Sequence, residues 1–466
     1  MGMTQRSNAS FNPRLSRRDL LRWGATATAA GMLGHWSAPD LPAAVSSSWL
    51  TVEKIDRTTI QLPFRDIPAR AMAREIPHWQ YLEICEVTLK SGKTGFGETM
   101  LFYTWGATND QSVARCQGKN AAELMWDDSL GAGLQSALFD AVARTLDLPI
   151  HALLGKKQHA RTPLSWWNID LSPEDLASEC ALAYKSGYLS LKTKGRPWFD
   201  LWKQIELAIK VVPESFKIDM DFNDTLRTAE QAIPILLEFD NIPQVDIWEG
   251  PLPQSDLEGN HRVKEAVKAK VALHYGNPDP WEMLTKDACD GFVVGGGATM
   301  LMQTAAVCAM SRKPFWLQLV GSSITAAHSL QFGGALEWAK WPAVNCHQLF
   351  VASTLTAPIV VENGTAAVSD APGVGFELNR DVLKKYEVAK PVSRPEPQRL
   401  LETTWPDGRT MYVASNGTVN FMLTCANAGQ MPYFEKGVNT RLVPDDGSAK
   451  WRDLVEKSRG RAYFPK

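Results

Sequence analysis

Tyr188-Leu-Ser-Leu-Lys-Thr-Lys194 is a short apolar run that ends in two lysines alternating about a threonine. Side chains two apart on a strand share a side, so Lys192 and Lys194 emerge together at the strand's carboxyl end. Outward from this run, polar residues recur where later apolar stretches give out: Phe216-Lys-Ile-Asp219-Met-Asp221, Val245-Asp-Ile-Trp-Glu249 and Val271-Ala-Leu-His274-Tyr275. The steps from 194 to 219, 249 and 275 are 25, 30 and 26 residues, the length of a strand-helix-strand unit. In a (β/α)₈ barrel the chemistry sits at the carboxyl-terminal rim. Two lysines and several carboxylates would then converge on one mouth.

Counting such units sets the fold class. Strands are predicted at 164–168, 188–194, 216–219, 245–249, 271–274, 291–294, 315–319 and 350–353, with helix-length segments between them. Eight of them predict an α/β domain built as a closed parallel barrel over 161–360. Gly295-Gly-Gly297 is not a GxGxxG fingerprint, and no acidic partner follows it at the dinucleotide spacing, which disfavours a nucleotide-binding sheet.

Ahead of the barrel, residues 49–160 read as an α+β domain. Thr51-Val-Glu-Lys-Ile and Tyr81-Leu-Glu-Ile-Cys-Glu-Val-Thr-Leu alternate as half-buried antiparallel strands do. Leu134, Ala137, Leu138, Ala141, Val142 and Thr145 then line one helical face, which Pro149 and Gly155 bring to an end. Residues 361–388 form a turn-rich closing segment. Pro391, Pro395 and Pro397 mark a linker, and residues 389–466 a C-terminal extension with a hairpin expected at 410–423 and no functional reading.

The composition excludes several partners. With 49 basic against 51 acidic residues the formal charge is −2, which lacks the electrostatic footprint of a nucleic-acid or membrane-surface binder. The seven cysteines are scattered without a CxxC, as buried free thiols of a protein folded in the cytosol are. Seventeen tryptophans, several near strand ends, suit an aromatic-walled small-molecule pocket as well as core filling. Nothing fixes the oligomeric state, and a homo-oligomer stays open.

Residues 1–46 read as a twin-arginine signal peptide. Ser16-Arg17-Arg18-Asp19-Leu20-Leu21 precedes a mild apolar run at 23–34, and twelve such residues are too few to span a bilayer. The expectation is export of the folded protein to the periplasm or another extracytoplasmic space, with no stable membrane span.

Several short pieces, in order, carry a family resemblance: Gly95-Phe-Gly-Glu98, Ala137-Leu-Phe-Asp140, Leu191-Lys-Thr-Lys194, Ile218-Asp219, Trp248-Glu249-Gly-Pro-Leu252, Gly296-Gly297 and Pro372-Gly-Val-Gly375. Over residues 50–388 the chain resembles the mandelate racemase and muconate lactonizing enzyme branch of the enolase superfamily. The resemblance implies a modified (β/α)₇β TIM-type barrel with an α+β capping domain completed by the closing segment. It also implies removal of the proton α to a carboxylate, with a divalent metal, usually Mg²⁺, stabilising the enediolate. Such a carbon acid is very weak, so the second negative charge needs a fixed cation. The base must work near neutral pH, and crowding a lysine with other cations lowers its pKa toward that range.

Carried over by position, the resemblance makes Lys194 the base and Lys192 its charge-tuning neighbour, with Asp219 and Glu249 as the first two metal ligands. The family carries a third carboxylate where this chain has Tyr275, with His274 beside it. Asp221 stands where the family has Asn. Three outcomes stay open at this point: Asp221 replaces the missing charge, His274 contributes and shifts preference to a transition metal, or no metal binds. On the opposite face Gly291 replaces a Lys or Asp, and Gln318 replaces a catalytic His. Gln cannot titrate, which disfavours a two-base racemase and favours single-base elimination, isomerisation or cycloisomerisation from the Lys194 side. The substrate is expected to be a small carboxylic acid, with His78, Trp79, Tyr103, Trp105, Trp166 and Trp167 as candidates for shaping its pocket. A catalytically impaired carboxylate-binding protein is the rival reading. A hydrolase using Asp219 and Glu249 as a carboxylate pair is a third.

Overall fold

The computed structural model describes residues 46–103 and 106–465. The twin-arginine segment and Trp105 lie outside the described residues, apart from Ser46.

The capping domain is a meander of β1 (Val52–Gln61), β2 (Tyr81–Leu89) and β3 (Thr94–Met100), with α1 (Asp66–Glu75) between β1 and β2. The register sets Ile55 opposite Val87 and Val87 opposite Gly95, so these residues share one face of the sheet. That face receives α2 (Ala132–Thr145), the helix expected from Leu134, Leu138 and Val142. Two glycines on β3 let the helix come this close. A Cβ on Gly95 would collide with the backbone nitrogen of Ala141, and one on Gly97 would lie 2.6 Å from Ser136 Cβ and 2.8 Å from Ala137 N. Asp140 of α2 is fully buried and accepts from Phe96 N (3.0 Å) and Val374 N (2.6 Å). One carboxylate thereby ties the helix, β3 and the closing segment together.

The barrel strands are β4 (Arg161–Trp167), β5 (Ser190–Lys194), β6 (Lys217–Asp221), β7 (Val245–Glu249), β8 (Lys270–His274), β9 (Gly291–Val294), β10 (Phe315–Leu317) and β11 (Ala343–Val344). Seven run as one parallel ladder, β4 through β10, and β11 pairs with β4 (Ala343 to Leu164, Val344 to Ser165). Between β10 and β11 the wall is closed by Gly321 N donating to Asn345 O (3.0 Å) and Asn345 Nδ2 donating to Leu319 O (2.8 Å). The helices α3 (Pro173–Lys185), α4 (Leu201–Ile209), α5 (Ala229–Leu237), α6 (Leu257–Ala266), α7 (Pro280–Thr285), α8 (Ala298–Ser311) and α9 (Ser323–Ala335) connect successive strands. This is the (β/α)₇β arrangement. The eighth strand differs from the one expected at 350–353. It is only two residues long, between Pro342 and Asn345, too short to show an apolar run, whereas Phe350 bridges to Phe64 of the cap and stacks on its ring at 5.4 Å.

Glu98 at the end of β3 accepts from the backbone and hydroxyl of Ser322 and from Thr325 N, capping α9 and fastening the cap to the barrel. The closing segment adds the small hairpin β12 (Val361–Glu362) and β13 (Thr365–Ala367), which pairs with β4. Its helix α10 (Arg380–Tyr386) returns to the cap, where Glu387 bridges to Ile60.

The extension is a three-stranded antiparallel sheet, β14 (Leu400–Thr404), β15 (Thr410–Ala414) and β16 (Asn439–Val443), with β14 in the centre. Helices α11 (Phe421–Asn427) and α12 (Ala449–Ser458) complete it. The hairpin expected at 410–423 is instead β14–β15, and residue 421 already begins a helix: the apolar residues of 411–414 pair backward with β14. The extension shares its core with the barrel, since Trp198 and Phe199 pack among Leu401, Met411, Phe421 and Met422. Arg399 donates to Arg74 O (3.1 Å) and Glu75 O (2.7 Å), satisfying the last carbonyls of α1. All seven cysteines are buried free thiols. No helix among the described residues is long and apolar enough to cross a membrane.

Candidate active site

Strand register decides which side chains meet. Lys192 stands level with Asp219 and Ile247, and Lys194 stands level with Asp221, Glu249 and Ala272. The layer at the rim is therefore Lys194–Asp221–Glu249, and Asp219 lies one layer deeper. Lys194 Nζ contacts Asp221 Oδ2 and donates to Asn223 Oδ1 at 3.1 Å. Lys192 Nζ contacts Glu249 Oε2, donates to Gln318 Oε1 at 2.8 Å, and lies 3.9 Å from Asp221 Oδ2 and 5.0 Å from the Trp316 ring centroid. Lys192, Asp221 and Glu249 are each 1 % exposed, so these charges interact with little screening by solvent.

The same alternation brings in two residues that the strand boundaries hid. Arg196 follows Lys194 on its side of the chain, is buried, and donates to Phe222 O (3.0 Å) and Asn223 Oδ1 (2.6 Å). Asn223 follows Asp221 in the same way. The signal was the i+2 spacing in Lys192-Thr-Lys194-Gly-Arg196 and Asp219-Met-Asp221-Phe-Asn223, which continues past the last ladder residue.

A cavity of about 460 Å³ opens over this layer. Lys192, Lys194, Arg196, Asp221, His274 and Gln318 line its floor, and His78, Trp79, Tyr103 and Trp167 come down from the cap and the rim. Trp79 stacks on Trp167 with centroids 5.5 Å apart and meets Tyr103 edge-on at 4.9 Å. A second cavity of about 360 Å³ shares Tyr103, His274, Gln318 and Val320 and continues toward Glu98 and His328. Trp166 does not belong to this wall. Its neighbour Trp167 faces the cavity, so Trp166 points the other way; it meets Tyr188 edge-on at 5.1 Å and donates from Nε1 to Glu179 (2.8 Å).

The field of the site follows from burial and neighbours. Burial lowers the pKa of Lys194, and Lys192 and Arg196 lower it further against the opposing pull of Asp221. Burial pushes the Asp221 carboxyl upward, but Lys194, Lys192 and Arg196 outweigh it and hold the group below the usual carboxylate range. Asp219 is driven well above that range by burial and by Asp246, and its Oδ1 has no hydrogen-bond partner. Burial, with Arg394 and Arg399, lowers His78 to about 4, so its ring is neutral at pH 7.

The donors for a divalent cation are Asp221 and Glu249, with His274 nearby. Glu249 lies against Lys192 on one oxygen and His274 Nε2 (3.0 Å) on the other, and neither contact has hydrogen-bond angles. β8 ends in His274, and the next residue, Tyr275, packs edge-on against Phe292 at 5.4 Å. Among the described residues, the His/Cys/Asp/Glu trio whose ligand atoms close to within 4.8 Å is His261, Glu265 and Asp287, away from this cavity. Asp224 adds a third carboxylate near Asp221 and His274, but among the described residues these groups do not close into a ligand cluster. Asp221 and Glu249 each face a lysine, which does not fit the near-octahedral oxygen shell of Mg²⁺.

A closed parallel barrel under an α+β cap, with two lysines facing carboxylates at the carboxyl rim, defines a class of barrel proteins whose site lies at that rim. Comparison with known proteins gives the family. Residues 175–382 match the enolase C-terminal domain-like family, a match that ends before the extension begins. That match, with the relatives below, supports a place in the enolase superfamily, in its mandelate racemase and muconate lactonizing enzyme-like branch. It is 21 % identical over 338 residues to an arabinonate dehydratase of Saccharolobus solfataricus, covering 65 % of this chain and 89 % of that one. To an N-succinyl-L-Arg/Lys racemase of Bacillus cereus it is 21 % identical over 281 residues, covering 56 % and 73 %. In fold it resembles 2-chloromuconate cycloisomerase from Rhodococcus opacus (TM-score 0.60, 19 % identity, 73 % of this chain and 100 % of that one). It also resembles an enolase from Thermobispora bispora complexed with magnesium and formate (TM-score 0.60, 18 % identity, 72 % and 92 %). The relatives thus include a dehydratase, a racemase and a cycloisomerase.

Proposed function

We propose that this protein removes the proton α to the carboxylate of a small organic acid, with Lys194 as the base, and completes an elimination or isomerisation from that one face. The observation that carries this reading is the rim layer itself: Lys194, its side chain 15 % exposed, stands level with the buried Asp221 and Glu249, with Lys192 directly beneath. To act, Lys194 must be a free amine, and burial with two flanking cations favours that form. Gln318 spends its Oε1 on Lys192, which leaves its amide hydrogens for a substrate carboxylate oxygen. Charge developing on that carboxylate lies among Lys192, Arg196 and the Gln318 amide. The proton taken by Lys194 returns to a departing hydroxyl, giving water, or to another carbon on the same face. Gln318 cannot carry a proton, so it does not serve as a second base on the opposite face.

The sequence reading took Asp219 as a ligand position and Asp221 as the family's asparagine. The register supports a shift of two residues: Asp221 in the ligand position and Asn223 as the asparagine that follows it. The family's third carboxylate position holds Tyr275, which packs on Phe292, so the charge of the intermediate falls to Lys192, Arg196 and the Gln318 amide.

A second reading is favoured by the pairing of each rim carboxylate with a lysine: the cavity holds a carboxylate without reacting with it. Incubation in D₂O with acid sugars and with 2-hydroxy and N-acyl amino acids separates the two. Deuteration at the α carbon that Lys194→Met abolishes supports the enzyme. Binding with no deuteration of any acid supports the binder and overturns the proposed reaction. We further propose export by the twin-arginine route, consistent with seven unpaired buried thiols.

A further inference from the structure

The C-terminal extension docks on the two loops that follow the lysine strand and the aspartate strand. Trp198 and Phe199, just after Arg196, lie in its core. On the next loop Arg227 donates to Ala426 O (3.1 Å), Tyr433 donates to Leu226 O (3.1 Å), and Asn427 Nδ2 donates to Asn223 O (3.2 Å). Asn223 is the residue whose side chain accepts from both Lys194 and Arg196. The docking carries a turn of the extension into the site: Val419, Asn420 and Leu423 line the cavity that holds Lys192 and Lys194.

The upper wall they share with the cap is largely apolar, with Tyr103, His78 and Asn420 as its polar groups. Ile76, Trp79, Phe102 and Trp167 supply the apolar surface. His78 is 2 % exposed, and both its ring nitrogens are buried without a hydrogen-bond partner. Asn420 Oδ1 is likewise buried and unpartnered. Buried polar atoms left unmatched are costly, and both residues line a cavity wide enough for a ligand. Asn420 takes a left-handed conformation, φ 55°, which an asparagine tolerates better than other side chains.

We infer that the extension is part of the active site, with residues 419–423 holding the distal end of the substrate and Asn420 setting specificity through a hydrogen bond. The matching ligand is a carboxylic acid whose apolar body carries a hydrogen-bond donor, as an N-acylated aromatic amino acid does. Its carboxylate sits at the lysines, its ring against the tryptophans, and its amide N–H on Asn420 Oδ1. A polyhydroxylated acid leaves its hydroxyls facing apolar wall. The inference rests on reading the barrel mouth as the substrate cavity.

Calorimetric titration of the full chain with N-acetylphenylalanine and with lactate tests it. Expected is at least tenfold tighter binding of N-acetylphenylalanine. Asn420→Gly, which keeps the backbone conformation accessible, weakens that binding by about fivefold, the worth of one hydrogen bond. Leu423→Trp, which fills the distal end, weakens it by more than about tenfold. Neither variant changes lactate binding more than about twofold, since lactate does not reach them. Absence of the preference for N-acetylphenylalanine, or a preference both variants leave intact, overturns the inference. If Leu423→Trp does not fold, Asn420→Gly decides alone. α-Deuteration in the same samples reads the chemistry separately. Shifted binding without deuteration removes the proposed reaction and leaves this assignment standing, and deuteration with unshifted binding does the reverse.

Discussion

Replacing Lys194 with methionine keeps the length of the side chain and removes its charge, so the variant separates chemistry from folding. On the chemical side the loss is that of a general base, about 10²- to 10⁴-fold in rate, or ~3–5 kcal/mol of barrier. On the folding side the variant removes the contact to Asp221 and the 3.1 Å hydrogen bond to Asn223. Stripping one partner from a buried pair costs ~3–5 kcal/mol when the other charge is stranded. Asp221 is not stranded: Lys192 Nζ stays at 3.9 Å, and Asn223 N donates to Oδ1 at 2.9 Å. The desolvation of one ammonium is also relieved. The expected destabilisation is accordingly about 1–3 kcal/mol, below the stranded-charge figure. Rates of α-deuteration followed by mass spectrometry, and urea denaturation of the same samples, measure the two effects. Lys192→Met is the comparison: it keeps the base but removes one of the two cations that favour its free amine, so its loss falls on substrate binding and on the pH at which exchange sets in. Exchange by Lys194→Met within tenfold of the parent, in a folded protein, refutes the assignment of the base.

Other consequences can be read independently. Gly97→Ala places a methyl group 2.6 Å from Ser136 Cβ and 2.8 Å from Ala137 N, so α2 must move off the sheet. A loss of about 3 kcal/mol is expected in denaturant unfolding, and a change under about 0.5 kcal/mol contradicts the packing described. His328 is buried, with Nε2 2.9 Å from Phe96 O, and burial lowers its pKa to about 4 from the ordinary 6.5. A depressed pKa contributes stability above pH 6.5 that is lost as the pH falls toward 4. His328→Gln should flatten the decline across that window by about 1.4 kcal/mol per pH unit relative to the parent, and parallel curves contradict this. Saturating Mg²⁺ should leave the unfolding free energy within about 0.5 kcal/mol, whereas a bound ion at a hundred times its Kd adds about 2.7 kcal/mol. Replacing Arg17 and Arg18 with lysine should retain the protein in the cytosol on cell fractionation; undiminished export would overturn the signal reading.

Most of the barrel was legible because its strands are buried on both faces and appear as continuous apolar runs separated by helix-length gaps. The eighth was not, because two residues between Pro342 and Asn345 carry no periodicity at all. The cap was legible for a different reason. Its strands alternate, and Gly95-Phe-Gly97 marks a place where a helix must pass close to the sheet. Among the pocket candidates, His78, Trp79, Tyr103 and Trp167 line the cavity. Trp166 shows the limit of reading a strand end from composition, since adjacent tryptophans face opposite ways. The contribution of the extension was invisible beforehand: Val419, Asn420 and Leu423 reach the mouth through a core built with Trp198 and Phe199, more than two hundred residues earlier.

The aspartate position shows what a single strand leaves undetermined. Asp219 and Asp221 are two apart, so alternation puts both on the same side, and either could serve as the acid of the rim. Only the neighbouring strands distinguish them, by standing Asp221 level with Lys194 and Glu249. The electrostatics separate the two in the same sense. Three cations hold the Asp221 carboxyl in its charged form, whereas burial and Asp246 drive Asp219 toward the neutral acid. An aspartate that must carry charge beside a lysine base belongs in the first environment. A carboxyl one layer down, where burial favours the uncharged form, packs as a polar core residue, so Asp219→Asn should leave α-deuteration within about threefold. Asp221→Asn should reduce it by at least about thirtyfold, because it removes the charge that positions Lys194. Equal losses in the two variants would mean that the rim layer extends deeper than the register implies.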